Sequence, residues 1–319
     1  VAIDEVQRIP ELLNTVHKLI ETKGIKFLLT GSSARKLKRG GANLLAGRAH
    51  NNNLFPLTYH EISETQDFSL ERYLTHGGLP TAYDDDDPWD YLFTYVDTYI
   101  KEEIQAEALT RNLPNFVRFL EQSALQSSLL INFSKLGNDA QISPNTARDY
   151  FQILEDTLLG FQLPPWTKSK KRKAIQTAKM YLFDCGATNA LRRVTNISPG
   201  TEYFGMLFEQ FICNELRAYL SYSKSREKLC YWRSKSQMEV DFIIGDSVAI
   251  ETKASKKTGA YDQKGLKAIS EEETQWNRRV VVSLDPISKT YENGIEHLYW
   301  KDFLNQLWSN QITTKNAIS

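Results

Sequence analysis

The 319-residue chain lacks any apolar run approaching the roughly 18 to 20 residues needed to span a bilayer, so no membrane partner is expected. It lacks net charge as well: 39 lysines and arginines balance 39 aspartates and glutamates. A whole-chain basic footprint for nucleic acid is therefore absent, and any such surface must be local. Cysteine is scarce. Cys185, Cys213 and Cys230 are widely spaced, form no CxxC and have no histidine cluster beside them. That argues against a disulfide framework or a zinc site, and with no secretory signal at the start it suggests a reducing cytoplasm. A GxxxxGK[ST] loop is missing too. In nucleotide hydrolases the backbone N–H groups and lysine of that loop cradle the phosphates.

What is present is ordinary for a soluble globular protein, with 41% hydrophobic and 24% charged residues, and the length suits two to four domains. Residues 1–65 alternate strand and helix. VAID and IKFLLTGSS read as buried strands, and IPELLNTVHKLIETKG between them reads as an amphipathic helix with Leu12, Val16 and Ile20 on one face and Gly24 as its stop. Strands separated by a helix suggest a parallel sheet. The stretch LFPLTYHEI is expected to return as another short strand. Residues 66–125 look helical, with a turn at GGLP (77–80) and a solvated acidic loop at DDDD (84–87). In residues 126–199, INFSKLGNDAQISPNTARDYFQILEDTLL has the pattern of a helix-turn-helix, with Ser143 or Asn145 as cap of the second helix. A basic run KSKKRK (168–173) and the apolar strand KMYLFD follow, so that a hairpin would make a wing. Residues 200–319 read as helix, three strands, helix and two strands.

Two places carry chemistry. The first is the start. An Asp at the carboxyl end of a strand can hold Mg²⁺ or its water, and a following Glu can polarise an attacking water, which are the roles expected of Asp4 and Glu5. At the end of the neighbouring strand, Thr30 and Ser32 are small polar residues able to meet a γ-phosphate or the attacking water. Arg48, on a loop, is placed to stabilise charge on a transferring phosphoryl group.

The second is the last domain. Asp241 lies in the strand EVDFIIG, and Glu251-Thr252-Lys253 in the next, ten residues on. Residues two apart in a strand point to one face, so Glu251 and Lys253 project together. Two carboxylates on adjacent strands can share Mg²⁺, making Asp241 and Glu251 candidate ligands, and the lysine can orient a water. Glu209, on the preceding helix, offers a third carboxylate. The order helix-strand-strand-strand-helix-strand with D…ExK resembles the PD-(D/E)XK nuclease fold.

In this order VAIDEVQRIP, FLLTGSSARKL, LLAGRA with LFPLTYHEI, GGLPTAY, the helix-turn-helix stretch, KMYLFDCGATNAL, FEQFICNEL and EVDFIIGDSVAIETKAS resemble the AAA+ ATPases of a bacterial and archaeal group whose C-terminal half is a domain of unknown function. The resemblance implies an α/β protein: a partial P-loop AAA+ core with Walker B and sensor 1, a helical lid, a winged helix, and a C-terminal restriction-endonuclease-like mixed sheet with helices. It implies that the chain starts partway through its ATPase domain, just before Walker B. The intact protein would use ATP and Mg²⁺, hydrolyse ATP, act on a nucleic-acid or protein partner, and could form a homo-oligomer. Two other readings stay open: a Mg²⁺-dependent nuclease acting through the C-terminal domain, where a second Mg²⁺ would sit, and a non-enzymatic binding module.

Overall fold

A computed structural model describes the chain except residues 7, 8, 10, 32–48, 101–103, 105–109, 111, 170–173, 273 and 314–319. At the N-terminal end, β1 (Ala2–Ile3) pairs in parallel with β2 (Leu28–Leu29), Ala2 opposite Leu28 and Ile3 opposite Leu29. Between them runs α1 (Leu12–Lys23), which buries Leu13 and Val16 and ends at Gly24 in the left-handed conformation (φ 62°) that glycine adopts without a Cβ penalty. The parallel pairing agrees with expectation; the burial does not. Ala2 and Leu28 are exposed and Ile3 and Leu29 only half-buried; among the described residues the buried cluster beside them is small, Leu13 and Val16 of α1 with Val6.

The expected strand in LFPLTYHEI is instead the helix α2 (Tyr59–Thr65). Its cause is local. Thr58 Oγ1 accepts from the Glu61 N–H, and the Glu61 carboxylate accepts from the Thr58 N–H at 2.9 Å. This reciprocal pair satisfies two of the amide groups that a helix start leaves open. Short helices follow: α3 (Leu70–His76), α4 (Pro80–Asp84) and α5 (Trp89–Thr94), the last running into a π-helical turn at Tyr95–Tyr99. Then come α6 (Leu113–Leu125), α7 (Phe133–Asp139) and α8 (Pro144–Asp156). Ser143 caps α8, accepting from the Thr146 N–H at 3.0 Å.

The strands β3 (Gly160–Leu163) and β4 (Lys179–Leu182) form an antiparallel hairpin after α8. Its long connection is not free. Trp166 N–H donates to Tyr231 O, Tyr231 N–H donates to Pro164 O, and Ile175 N–H donates to Arg233 O. The hairpin loop thus covers the edge of the C-terminal sheet, which would otherwise present unpaired backbone groups.

After α9 (Cys185–Leu191) and the long α10 (Glu202–Tyr222) come β5 (Leu229–Arg233), β6 (Glu239–Ile244), β7 (Val248–Lys253), α11 (Lys264–Ile269), β8 (Arg278–Ser283), β9 (Lys289–Thr290), β10 (Glu296–Tyr299) and α12 (Trp300–Trp308). They build a six-stranded mixed sheet in the order β5-β6-β7-β8-β10-β9. The first three strands run antiparallel as a meander; β7, β8 and β10 are parallel. The helix α12 was not foreseen, although Trp300, Phe303, Leu304 and Leu307 follow a helical spacing and are all buried.

One apolar core unites α10, this sheet and α12 with α2 and α3: Tyr59, Ile62, Phe68 and Tyr73 pack with Phe211, Phe242, Val280 and Trp300. Glu215, buried on α10, fastens this arrangement. Its carboxylate accepts from the Tyr59 N–H at 2.6 Å and from Trp308 Nε1–H at 2.8 Å, and burial raises its pKa to about 7. A second core joins α5, α6, α8 and α9. The GGLP turn meets the segment after β4 through Asp184, whose buried carboxylate accepts from the Gly78 and Ala187 N–H groups at 2.7 and 2.8 Å. A Cβ on Gly77 would fall on that carboxylate, and one on Gly186 would fall on the His76 carbonyl.

Candidate functional sites

At the N-terminal end the carboxyl ends of two parallel strands lie side by side, and three of the expected residues meet there. Thr30 Oγ1 donates to Asp4 Oδ1, and the Glu5 N–H donates to the same hydroxyl at 3.3 Å. Thr30 N–H and O pair with Ile3 O and Val6 N–H, both at 3.0 Å, which fixes the register of the two strand ends. Glu5 has a left-handed backbone (φ 51°), uncommon for a residue with a side chain and a conformation found often at functional turns. Asp4 is exposed, so its carboxylate can reach a ligand. An exposed oxygen-donor carboxylate next to a hydroxyl fits a hard, hydrated Mg²⁺. Ser32 and Arg48 lie outside the described residues.

The C-terminal cluster is built from five elements, β4, α10, β5, β6 and β7. Asp241 on β6 and Glu251 on β7 lie opposite each other when the strand register (Phe242 opposite Ile250) is continued by one residue. Asp241 Oδ2 accepts from the Thr252 N–H and hydroxyl at 2.7 and 2.8 Å. Lys253 Nζ donates to Glu251 Oε1 at 2.7 Å. Glu251 Oε2 is buried and has no hydrogen-bond partner among the described residues. Burial, with the Asp241 charge beside it, holds the Glu251 pKa well above the carboxylate range. Glu209 on α10 accepts from Tyr181 OH at 2.5 Å.

The centre of this cluster is a residue that the sequence did not flag. Lys179, at the head of β4, is 3% exposed and places Nζ 2.6 Å from Glu239 Oε1, 3.0 Å from Glu209 Oε1 and 3.8 Å from Asp241 Oδ1. Burial opposes its charge, but Glu209, Asp241 and Glu239 more than offset that and hold its pKa well above the lysine range. Arg233 adds a second contact to Glu239 at 3.3 Å. Burial raises the Glu209 pKa to about 7 despite Lys179. Four carboxylates (Glu209, Glu239, Asp241, Glu251) thus meet three cations (Lys179, Arg233, Lys253). Among the described residues no group of three or more His, Cys, Asp or Glu side chains is arranged to hold a metal ion. An ammonium group, Lys179 Nζ, stands among the Glu209, Glu239 and Asp241 carboxylates and would compete there with a divalent cation.

The expected recognition helix, α8, spends its outward residues locally. The Arg148 guanidinium lies 4.8 Å from the Phe133 ring centroid, Gln152 donates to Asp156, and Glu155 accepts from Gln162. Of the basic run, Lys168 pairs with Asp246, and 170–173 lie outside the described residues. No described helix is long and apolar enough to cross a membrane.

Comparison with known proteins finds three family models that each match a stretch of the chain. Residues 1–63 match the AAA domain, 67–198 a domain of unknown function (DUF8612), and 204–302 another domain of unknown function (DUF4143). Similar chains include uncharacterized proteins of Mycobacterium tuberculosis (25% identical, covering 76% of this chain and 55% of that protein), Methanocaldococcus jannaschii (25%, 76% and 57%) and Haemophilus influenzae (24%, 95% and 77%). The chain thus spans little more than half the length of the mycobacterial relative. No solved structure matches it. The chain therefore carries an AAA-type segment at its N-terminal end and, beyond it, a C-terminal domain of unknown function.

Proposed function

We propose that the chain belongs to an ATP-hydrolysing AAA+ protein that couples ATP turnover to work on a nucleic-acid or protein partner. The observation that supports this most directly is the Thr30 hydroxyl, which bridges the Asp4 carboxylate and the Glu5 backbone at the ends of two parallel strands. In this reading Asp4 holds the Mg²⁺ of Mg·ATP directly or through water. Glu5 takes a proton from, or orients, the attacking water. Thr30 keeps the Asp4 carboxylate oriented. The metal, when bound, neutralises charge on the transferring phosphoryl group. The phosphate cradle is not among these 319 residues, so this chain by itself is expected to bind ATP weakly or not at all. The C-terminal domain serves as a rigid partner-binding or transmitting body, and the lysine-filled carboxylate cluster gives no support to a hydrolytic step there.

The test is ATP turnover by the protein expressed with a GxxxxGK[ST] loop supplied from its own reading frame. Glu5→Gln should lower turnover at least about a hundredfold while sparing nucleotide binding, the usual cost of losing a group that acts on the attacking water. Unchanged turnover in Glu5→Gln would sink the assignment, as would tight ATP binding by the present chain in calorimetry.

A further inference from the structure

Away from both clusters, a cavity of about 520 Å³ opens where Asn53–Pro56, the π turn at Tyr95, the end of α8, β3 and α10 come together. Its volume lies in the range of roughly 300–1,000 Å³ typical of small-molecule sites. The walls are mainly apolar, with Phe55, Leu79, Tyr95, Phe161 and Phe183 among them. Among the described residues one cation, Arg217, lines it. The Arg217 guanidinium carbon lies 3.3 Å from the Phe161 ring centroid and 5.4 Å from that of Phe55.

Arg217 differs from Arg233 and Arg278, two other half-buried arginines of the fold, which meet the carboxylates of Glu239 and Glu296. No described carboxylate pairs with Arg217, and burial lowers its pKa to about 10. Glu155, the acid in the same lining, is engaged by Gln162 instead. Stacking on aromatic faces recovers only part of what removing a lone charge from water costs. The balance leaves a site that gains by taking in an anion. The rim adds exposed apolar surface, Leu54 (90% exposed) and Leu158 (47%), next to the aromatic walls. Such surface would bury the body of a ligand whose charged end had reached Arg217.

We propose that this cavity binds a small organic anion, with a flat apolar body among Phe55, Tyr95, Phe161 and Phe183 and one carboxylate, sulfonate or phosphate group on Arg217. This site is independent of the ATP site. It borders the segment that enters α2, within the stretch that matches the AAA domain, so its ligand would touch that stretch as well as α10.

The probe is 1-anilinonaphthalene-8-sulfonate, titrated into the 319-residue protein and followed by fluorescence. One saturable site per chain is expected. Arg217→Met should weaken it at least tenfold, and Arg217→Lys, which keeps the charge, should weaken it less. On the unmodified protein 1-naphthoate should displace the dye at concentrations at least tenfold below those needed by 1-naphthalenemethanol, which has the same body without the charge. This second comparison decides the matter if Arg217→Met does not fold. The proposal is overturned if no saturable site exists, if a folded Arg217→Met variant binds the dye as the parent does, or if the neutral competitor performs as well as the acid.

Discussion

Lys179 and Glu239 meet at 2.6 Å between Nζ and Oε1, one at the head of a hairpin strand, the other at the head of a strand of the six-stranded sheet. Their contact joins two units far apart in the chain, and it fills the space between the carboxylates of Glu209 and Asp241. Lys179→Met would leave these carboxylates buried without their main counter-charge. Breaking a buried pair in this way costs about 3–5 kcal/mol, so urea unfolding should show a loss of that order. Mg²⁺ or Mn²⁺ should then raise the Tm of the variant more than that of the parent, by mass action at the vacated carboxylates. A variant as stable as the parent would show that Lys179 is not the counter-ion described.

The parent protein, purified to homogeneity with Mg²⁺ or Mn²⁺, should leave single-stranded, duplex and branched DNA intact. Lys253→Ala should change no nuclease activity, since none is expected. Metal-dependent cleavage that disappears in Glu251→Ala would reverse this expectation and restore the nuclease alternative.

Stability should depend on pH through the buried acids. The pKa of Glu215 is raised from 4.5 to about 7 in the folded protein, so the folded state holds this proton more tightly than the unfolded state. Its contribution is fully present below about pH 4.5 and is lost as pH rises through about 7. The slope is at most about 1.4 kcal/mol per pH unit. Glu209, raised to about 7, acts in the same sense. In Glu215→Gln the curve between pH 5 and 8 should be flatter than in the parent, measured by urea unfolding at fixed ionic strength. An unchanged slope would mean that Glu215 does not titrate there.

Two glycines stand at close approaches. Gly186→Ala should drive a methyl group into the His76 carbonyl, and Gly77→Ala should drive one into Asp184 while forcing alanine to φ 79°. Each should cost about 3 kcal/mol or more, the upper part of the range for overpacking and backbone strain. Gly24→Ala, where φ is 62° with nothing within 4 Å, is the control and should cost less. Thermal melting ranks the three.

Much of this was legible where local pattern and tertiary role agree. EVDFII and VAIETK are short, apolar and bounded by turn residues, and both are strands of the sheet. Ser143 before Pro144 marked a helix start, and it caps α8. The stretch TYHEI misled because its alternation resembles a strand, whereas the Thr58–Glu61 capping pair is a helix signal and was there to be read. Lys179 had no such signal. A lysine at the head of an apolar strand looks like a solvent-facing end, and its partner Glu209 is 30 residues away on another element. Arg217 sits in a helix that reads mainly as core, and only the folded chain shows that no described carboxylate meets it.

The contacts of Phe68 decide where this molecule could be cut. Its ring lies 5.8 Å from that of Phe211 on the long helix and 5.6 Å from that of Trp300 at the start of the last helix. A fragment starting near residue 200 would keep the whole six-stranded sheet, yet expose the faces of Phe211 and Trp300 that α2 and α3 cover and deprive the Glu215 carboxylate of the Tyr59 amide. Dissection to isolate the C-terminal half should therefore begin ahead of Leu57, and fragments cut between α9 and α10 are expected to aggregate rather than fold. Any stroke passed from the N-terminal strands must turn about the chain upstream of Tyr59, because α2 and α3 share one core with the sheet.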